Sequence, residues 1–211
     1  MSNSNRWVFI AWAPHGRRTE SLARELGAKL YFIHYLKFQN PSYAPIKYIL
    51  QSLRTLQVLF MERPDVVFIQ SPPFVCSLVV YLYCFINGAR FVLDHHSASF
   101  ATVWDWALPV QKFLARRAVT NIVTNQYWAD IIQNSWSAKA FILIDPLPLL
   151  DGEEAFAVEP GFNVVFINTF ADDEPTTEVV EAASQLPDIQ FYITGNTKRM
   201  PENFFENVPK N

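Results

Sequence analysis

The sequence predicts an α/β protein: a doubly wound parallel sheet followed by the start of a second unit of the same kind. Three observations carry this reading. Short runs rich in Val, Ile and Phe alternate with segments of three- and four-residue apolar spacing. Turn and cap residues fall at the junctions between them. Polar side chains gather at the carboxyl ends of three of the runs, where parallel sheets place their ligands.

The strands are expected near 6–13, 29–34, 65–70, 90–95, 120–124 and 139–144, and the helices near 17–27, 43–62, 74–87, 107–118 and 126–135. Gly27 closes the first helix, Arg63-Pro64 the second and Asn87-Gly88 the third. This alternation implies right-handed βαβ units. Asp145-Pro146-Leu147-Pro148 ends a first domain (1–148), and the acidic stretch 149–161 reads as a linker. A second unit (162–211) follows, with a strand at Asn163–Asn168, a helix at Glu174–Leu186 and a strand at Ile189–Thr194. Two strands and one helix cannot cover both faces of a sheet, so this unit reads as the incomplete start of a domain.

Composition bounds the function. Half of the 211 residues are hydrophobic and 15% are aromatic, enough for a substantial core. Residues 1–150 carry 14 Lys/Arg against 8 Asp/Glu, and residues 151–211 carry 3 against 12. The basic first part suits an anionic partner such as a phosphate or an acidic membrane surface. No Lys/Arg cluster is dense enough to track a nucleic-acid backbone. Cys76 and Cys84 lie eight apart in an apolar helical segment, too far for a disulfide within one helix, and read as reduced core residues. The start, Met1 to Arg6, shows no signal peptide, and the longest apolar stretch, Phe74 to Ile86, is too short to span a bilayer. The expected location is therefore the cytoplasm, either free or peripheral at the inner face of the membrane.

The candidate site residues sit at three strand ends. Arg90-Phe91-Val92-Leu93 runs into Asp94-His95-His96-Ser97. A carboxylate and an imidazole there can take a proton from a hydroxyl or orient it, or Asp94 is a cap and the histidines are loop residues. Adjacent histidines lack chelating spacing, so no metal site is expected. His15-Gly16-Arg17-Arg18 follows the first strand. Gly16 allows a close turn, the next helix offers free N–H groups, and two arginines add phosphate-type contacts unless they are merely solvated. Ser71-Pro72-Pro73 shapes a rigid strand-to-helix turn whose hydroxyl is a candidate ligand contact.

Two further features have two readings each. Tyr43–Met61 repeats apolar residues at Ile46, Ile49, Leu50, Leu53, Leu56 and Phe60, with Lys47 and Arg54 on one side and Tyr35, Lys37 and Phe38 just before it. That pattern fits a core helix with a solvated face, the reading preferred here, or a membrane-interface helix. Phe100, Trp104 and Trp106 either stack on a sugar or isoprenoid or pin their loop to the core.

The ordered set of motifs resembles a known family. Gln70-Ser71-Pro72-Pro73 followed by an apolar helix, Asp94-x-His96-Ser97, His15-Gly16-Arg17 through Leu22-Ala23 to Leu26-Gly27, and Tyr192-Ile193-Thr194-Gly195-Asn196 together resemble the GT-B glycosyltransferases. They are similar in particular to family-four enzymes and to the mannosyltransferases that extend dolichyl-diphosphate chitobiose. The resemblance implies two Rossmann-like domains and transfer of a hexose from a nucleotide sugar to a saccharide or lipid-linked acceptor, in polysaccharide or glycolipid synthesis. It implies no cofactor beyond the nucleotide-sugar substrate. His96 would contact the sugar or acceptor and Asp94 would orient its loop, while His15, Gly16, Arg17, Arg18, Ser71 and His95 would line the phosphate or acceptor site. The family's acidic pair, late in its donor domain, has no counterpart here. A non-catalytic binding subunit of a split glycosyltransferase, working with a partner chain, and a truncated inactive fragment are the alternative readings.

Overall fold

The computed structural model describes residues 6–35, 42, 44–145, 157–170, 174–196, 204, 208 and 209. The chain divides into two compact units, Met1–Leu149 and Leu150–Asn211. Lys37, Phe38, Tyr43, Pro146-Leu147-Pro148 and residues 149–156 of the expected linker lie outside the described residues.

The first unit alternates as expected: β1 (Trp7–Ala11), α1 (Arg17–Leu26), β2 (Lys29–Phe32), α2 (Ala44–Glu62), β3 (Val66–Ser71), α3 (Phe74–Asn87), β4 (Arg90–His95), α4 (Leu108–Arg117), β5 (Asn121–Val123), α5 (Gln126–Asp130) and β6 (Ala140–Ile142). Two 3-10 turns, Ser97–Phe100 and Thr102–Ala107, join β4 to α4. The helix read over 126–135 is α5 continued by a π-turn, Ile131–Ser135. All strands are parallel, in the order β2-β1-β3-β4-β5-β6. Gly27 and Gly88 close α1 and α3 as left-handed C-caps.

The direction of strand addition separates the helices. The chain steps one way from β1 to β2 and the other way from β3 to β6, so right-handed crossovers put α1 on one face and α2–α5 on the other. The cores agree. Phe9, Phe68, Val92 and Ile122 pack with Leu22 and Ala23 of α1, while Ile10, Ile69, Phe91 and Leu93 pack with residues of α2, α3, α4 and α5.

Helix α2 overturns the expected core reading. Its inward face carries Lys47, Gln51 and Thr55 together with Val58 and Leu59, and Lys47 is only 7% exposed. Gln51 Nε2 donates to Ile33 O at 2.8 Å, and the indole Nε1 of Trp12 donates to Thr55 Oγ1 at 2.9 Å. The apolar repeat points outward: Ile46, Ile49, Leu53 and Phe60 are 57–61% exposed. The polar inner face is tolerated because Trp12 and Ile33, just past β1 and β2, supply hydrogen-bond partners there.

The second unit has β7 (Asn163–Phe166), α6 (Thr176–Gln185) and β8 (Gln190–Ile193), with β7 and β8 parallel in register Asn163↔Gln190 to Phe166↔Ile193. Gly195 sits at φ +137°, and a Cβ there would lie 2.7 Å from the carbonyl oxygen of Asn168. Only glycine fits that turn.

Replacing Thr55 by Val leaves the buried Trp12 N–H without an acceptor. Urea unfolding is expected to show a loss of about 1–3 kcal/mol, with most of it regained in Thr55→Ser.

Candidate functional site

The carboxyl ends of β1, β3 and β4 are adjacent in the sheet, so three of the predicted polar clusters meet at one edge. The two-residue period of β4 sorts the Asp94-His95-His96 run between faces. Asp94 and His96 turn toward α1, and His95 turns toward the helices of the opposite layer.

Asp94 is fully buried. Arg18, from the first turn of α1, grips it: Nη2 donates to Oδ1 at 2.9 Å and Nε at 3.1 Å. The side chain of Arg18 is itself only 9% exposed. Its Nη1 donates to the carbonyl oxygen of Leu143 at 3.2 Å and to the carboxylate of Asp145. One guanidinium thus ties together α1, the end of β4 and the segment after β6. Burial alone would raise the Asp94 carboxyl; the facing His96 and the Arg18 guanidinium outweigh it and hold the pKa below the usual carboxylate range. Nε2 of His96 lies 3.5 Å from Asp94 Oδ2, an ion-pair distance longer than a formed hydrogen bond. The His96 side chain is 30% exposed, and Nδ1 is the nitrogen left to meet a ligand. This is a half-open imidazole backed by a buried carboxylate.

His95 sits elsewhere. It is 3% exposed, packed against Phe100 and Trp136 at ring distances of 5.7 Å. Both N–H groups of Asn121 are engaged, by Ala115 O and Lys139 O, so its Oδ1 accepts from His95 Nε2 at 3.0 Å. That assigns the proton to Nε2 and leaves Nδ1 unprotonated and unpartnered. Burial pushes the pKa of His95 down to about 4. His95 therefore builds the core beneath the site and does not line its surface.

The other predicted residues divide in the same way. His15 and Arg17 are exposed at the mouth of the α1 N-terminus. Gly16 is extended, and its value is space: a Cβ would lie 3.3 Å from Thr19 Oγ1. Thr19 in turn donates to Gln70 Oε1 at 2.9 Å, so the glutamine of the Gln70-Ser71-Pro72-Pro73 motif buttresses the α1 turn. Arg18 is no free phosphate contact; its charge is committed to Asp94. Ser71 is buried and acts through its carbonyl oxygen, which accepts from His96 N at 2.9 Å and from Ser99 Oγ at 2.6 Å. The Ser71–Pro72 and Pro72–Pro73 bonds are cis. Phe100 is pinned, stacked on Trp128 at 4.3 Å. Beside it, Trp104, Asp105, Gln111, Tyr127 and Trp128 line a cleft of about 220 Å³.

Asn121, Thr19 and the Leu143–Asp145 segment escaped the sequence reading. A signal existed for Asn121, a polar residue heading the buried run Asn121-Ile122-Val123. Nothing local marks Leu143, whose part is played by its backbone oxygen. Among the described residues, no group of three or more His, Cys, Asp or Glu side chains is placed to hold a metal ion.

No family model and no curated protein matches the sequence. Among solved structures, the glycotransferase of kitacinnamycin superposes with a TM-score of 0.56 at 11% identity, over 97% of this chain and 69% of that one. HepE of Anabaena, solved with UDP and glucose and with UDP-glucose, gives a TM-score of 0.54 at 12% identity, over 89% of this chain and 60% of its own. Likeness at that identity establishes the architecture, and function has to come from the site.

Removing Arg18 leaves a buried carboxylate without its cation. Arg18→Leu is expected to cost about 3–5 kcal/mol in urea unfolding, and much of this returns in the Arg18→Leu/Asp94→Leu double variant. His95 gives a second expectation. It is neutral when folded, whereas the unfolded chain takes up a proton near pH 6.5. Its stabilising contribution is full above that pH and is lost as the pH falls toward 4, by about 3 kcal/mol. Thermal unfolding followed from pH 7 to pH 4 should show this slope, and His95→Gln should flatten it. An unchanged slope in the variant would contradict the assignment.

Proposed function

We propose that this chain supplies the acceptor side of a GT-B glycosyltransferase that moves a hexose from a nucleotide sugar to a hydroxyl of a saccharide or lipid-linked acceptor. The observation that carries the reading is the Arg18–Asp94–His96 arrangement at the carboxyl edge of the sheet. In glycosyl transfer the acceptor oxygen bonds to the anomeric carbon, the bond from that carbon to the diphosphate breaks, and the acceptor hydroxyl loses its proton. His96, half-open beside the buried Asp94 carboxylate, is the group that receives or steers that proton. Arg18 holds Asp94 charged and in place, so it is a positioning residue. Arg17, His15 and the N–H groups opening α1 face the leaving diphosphate, where fixed positive charge lowers the barrier.

One neighbour, HepE, is solved with UDP and glucose and with UDP-glucose, which supports a nucleotide-hexose donor. The cleft lined by Trp104, Trp128, Asp105 and Gln111 supports a saccharide acceptor, because aromatic faces stack on a sugar ring while a carboxylate and an amide meet its hydroxyls. Family-four membership is a narrower form of the same proposal, supported by the ordered motifs. The competing reading is a binding subunit that works with a separate donor-site chain. It is favoured by the second unit, where the described residues give a two-stranded sheet and one helix.

Calorimetry with a panel of UDP- and GDP-sugars, followed by assay of diphosphate-nucleotide release with saccharide acceptors, tests the proposal. His96→Ala is expected to lower turnover by about a hundredfold or more, with donor affinity little changed. Equal turnover in the variant would remove His96 from the mechanism. Failure to bind any nucleotide sugar would favour the binding-subunit reading.

A further inference from the structure

Helix α2 is inside out, and the glycosyl-transfer site does not explain it. Ile46, Leu53 and Phe60 recur every seven residues along its outer ridge, flanked by Ile49, Leu50 and Met61. The stripe runs about 23 Å along the helix. Exposed apolar surface of this extent marks a contact with something other than water. The stripe continues onto α3, which packs beside α2 with Phe60 edge-on to Tyr83 at 5.2 Å. There Phe85 and Ile86 are 73% and 77% exposed.

What lies at the end of this apolar surface says what covers it. Phe60 borders an open cleft of about 670 Å³ that also holds Arg6, Arg63 and Arg90. Arg6 is paired with Asp65 at 2.5 Å. Neither Arg63 nor Arg90 has a carboxylate within salt-bridge distance among the described residues. Asp65, already paired with Arg6, also lines this cleft and feels the charge of Arg90, so the lining holds three guanidiniums against one carboxylate, beside Phe60. Large apolar side chains next to an excess of positive charge fit an anionic lipid surface: hydrocarbon takes the former and headgroup phosphates the latter. Residues 1–150 carry an excess of six positive charges, which favours an anionic surface and disfavours a second copy of the same unit. Among the described residues no helix is long and apolar enough to cross a membrane, so the contact is one of lying on the surface.

We propose that α2 and the C-terminal turn of α3 form a docking face for an anionic bilayer, with Ile46, Leu53, Phe60, Phe85 and Ile86 inserted and Arg63 and Arg90 on the headgroups. Of the two basic residues expected on this helix from the sequence, Lys47 is buried and cannot serve, whereas Arg54 is exposed. The proposal does not depend on the glycosyl-transfer reading, and its test does not involve nucleotide sugars.

The test is sedimentation of the full chain with phosphatidylcholine vesicles, with and without phosphatidylglycerol. Binding is expected to the phosphatidylglycerol vesicles and to weaken with salt. Leu53→Glu/Phe60→Glu, both at exposed positions, should abolish it. Arg63→Glu/Arg90→Glu should weaken it about tenfold or more on the anionic vesicles only. Circular dichroism confirms that the variants fold. Absence of vesicle binding, equal binding to both vesicle types, or unchanged binding by Leu53→Glu/Phe60→Glu would each overturn the proposal. So would a dimer, seen by sedimentation velocity, that Leu53→Glu/Phe60→Glu dissolves, because a second copy would then cover the stripe.

Discussion

The contact between Arg18 and Asp94 is the constraint on which the candidate site depends. A carboxylate with no solvent exposure is tolerable only beside a fixed positive charge. Arg18 provides that charge in a forked geometry suited to a carboxylate, and its remaining N–H groups are used on Leu143 O and Asp145. Such a pair adds little net stability compared with an apolar core, and its effect is to fix geometry. It sets the distance between α1 and β4, keeps Asp94 ionised, and thereby presents His96 with a permanent negative charge on one side and open space on the other.

Around that pair, buried polar contacts lock the neighbouring turns. Thr19 reaches Gln70, and Ser71 O receives both His96 N and Ser99 Oγ. On the other face His95, Asn121 and Trp136 form a second buried cluster, against which the partly buried Phe100 packs. The strand that exposes His96 therefore cannot rotate without breaking hydrogen bonds in both layers. Preorganisation of this kind holds the His96 imidazole in a fixed position at the carboxyl edge of the sheet. The same rigid unit carries an apolar exterior on α2, so its site edge and its greasiest surface belong to one compact body.

Much of the fold was legible because its signals are local. Every expected strand and helix of the first unit is present, since apolar runs of four to six residues and cap glycines such as Gly27 and Gly88 respond to nearby sequence. Part of the site was legible for a related reason: in a parallel sheet, residues just past a strand are brought to one edge whatever the details. The polarity of α2 was misread because periodicity identifies two faces of a helix without saying which one meets the sheet. Apolar residues are usually inside, and here Trp12 and Ile33 O offered partners that drew Thr55 and Gln51 inward.

By itself, then, the sequence determined the order of elements, the parallel doubly wound sheet and the gathering of Asp94, His96 and His15 to Arg18 at strand ends, because those follow from the chain's own period and punctuation. Only the tertiary structure decided what each side chain does there. Adjacent residues on a strand face opposite layers, so Asp94 and His96 point to one environment and His95 to another. Arg18 and Asp94 are 76 residues apart, and whether a guanidinium meets a phosphate or a buried carboxylate is settled by packing between elements that share no local signal.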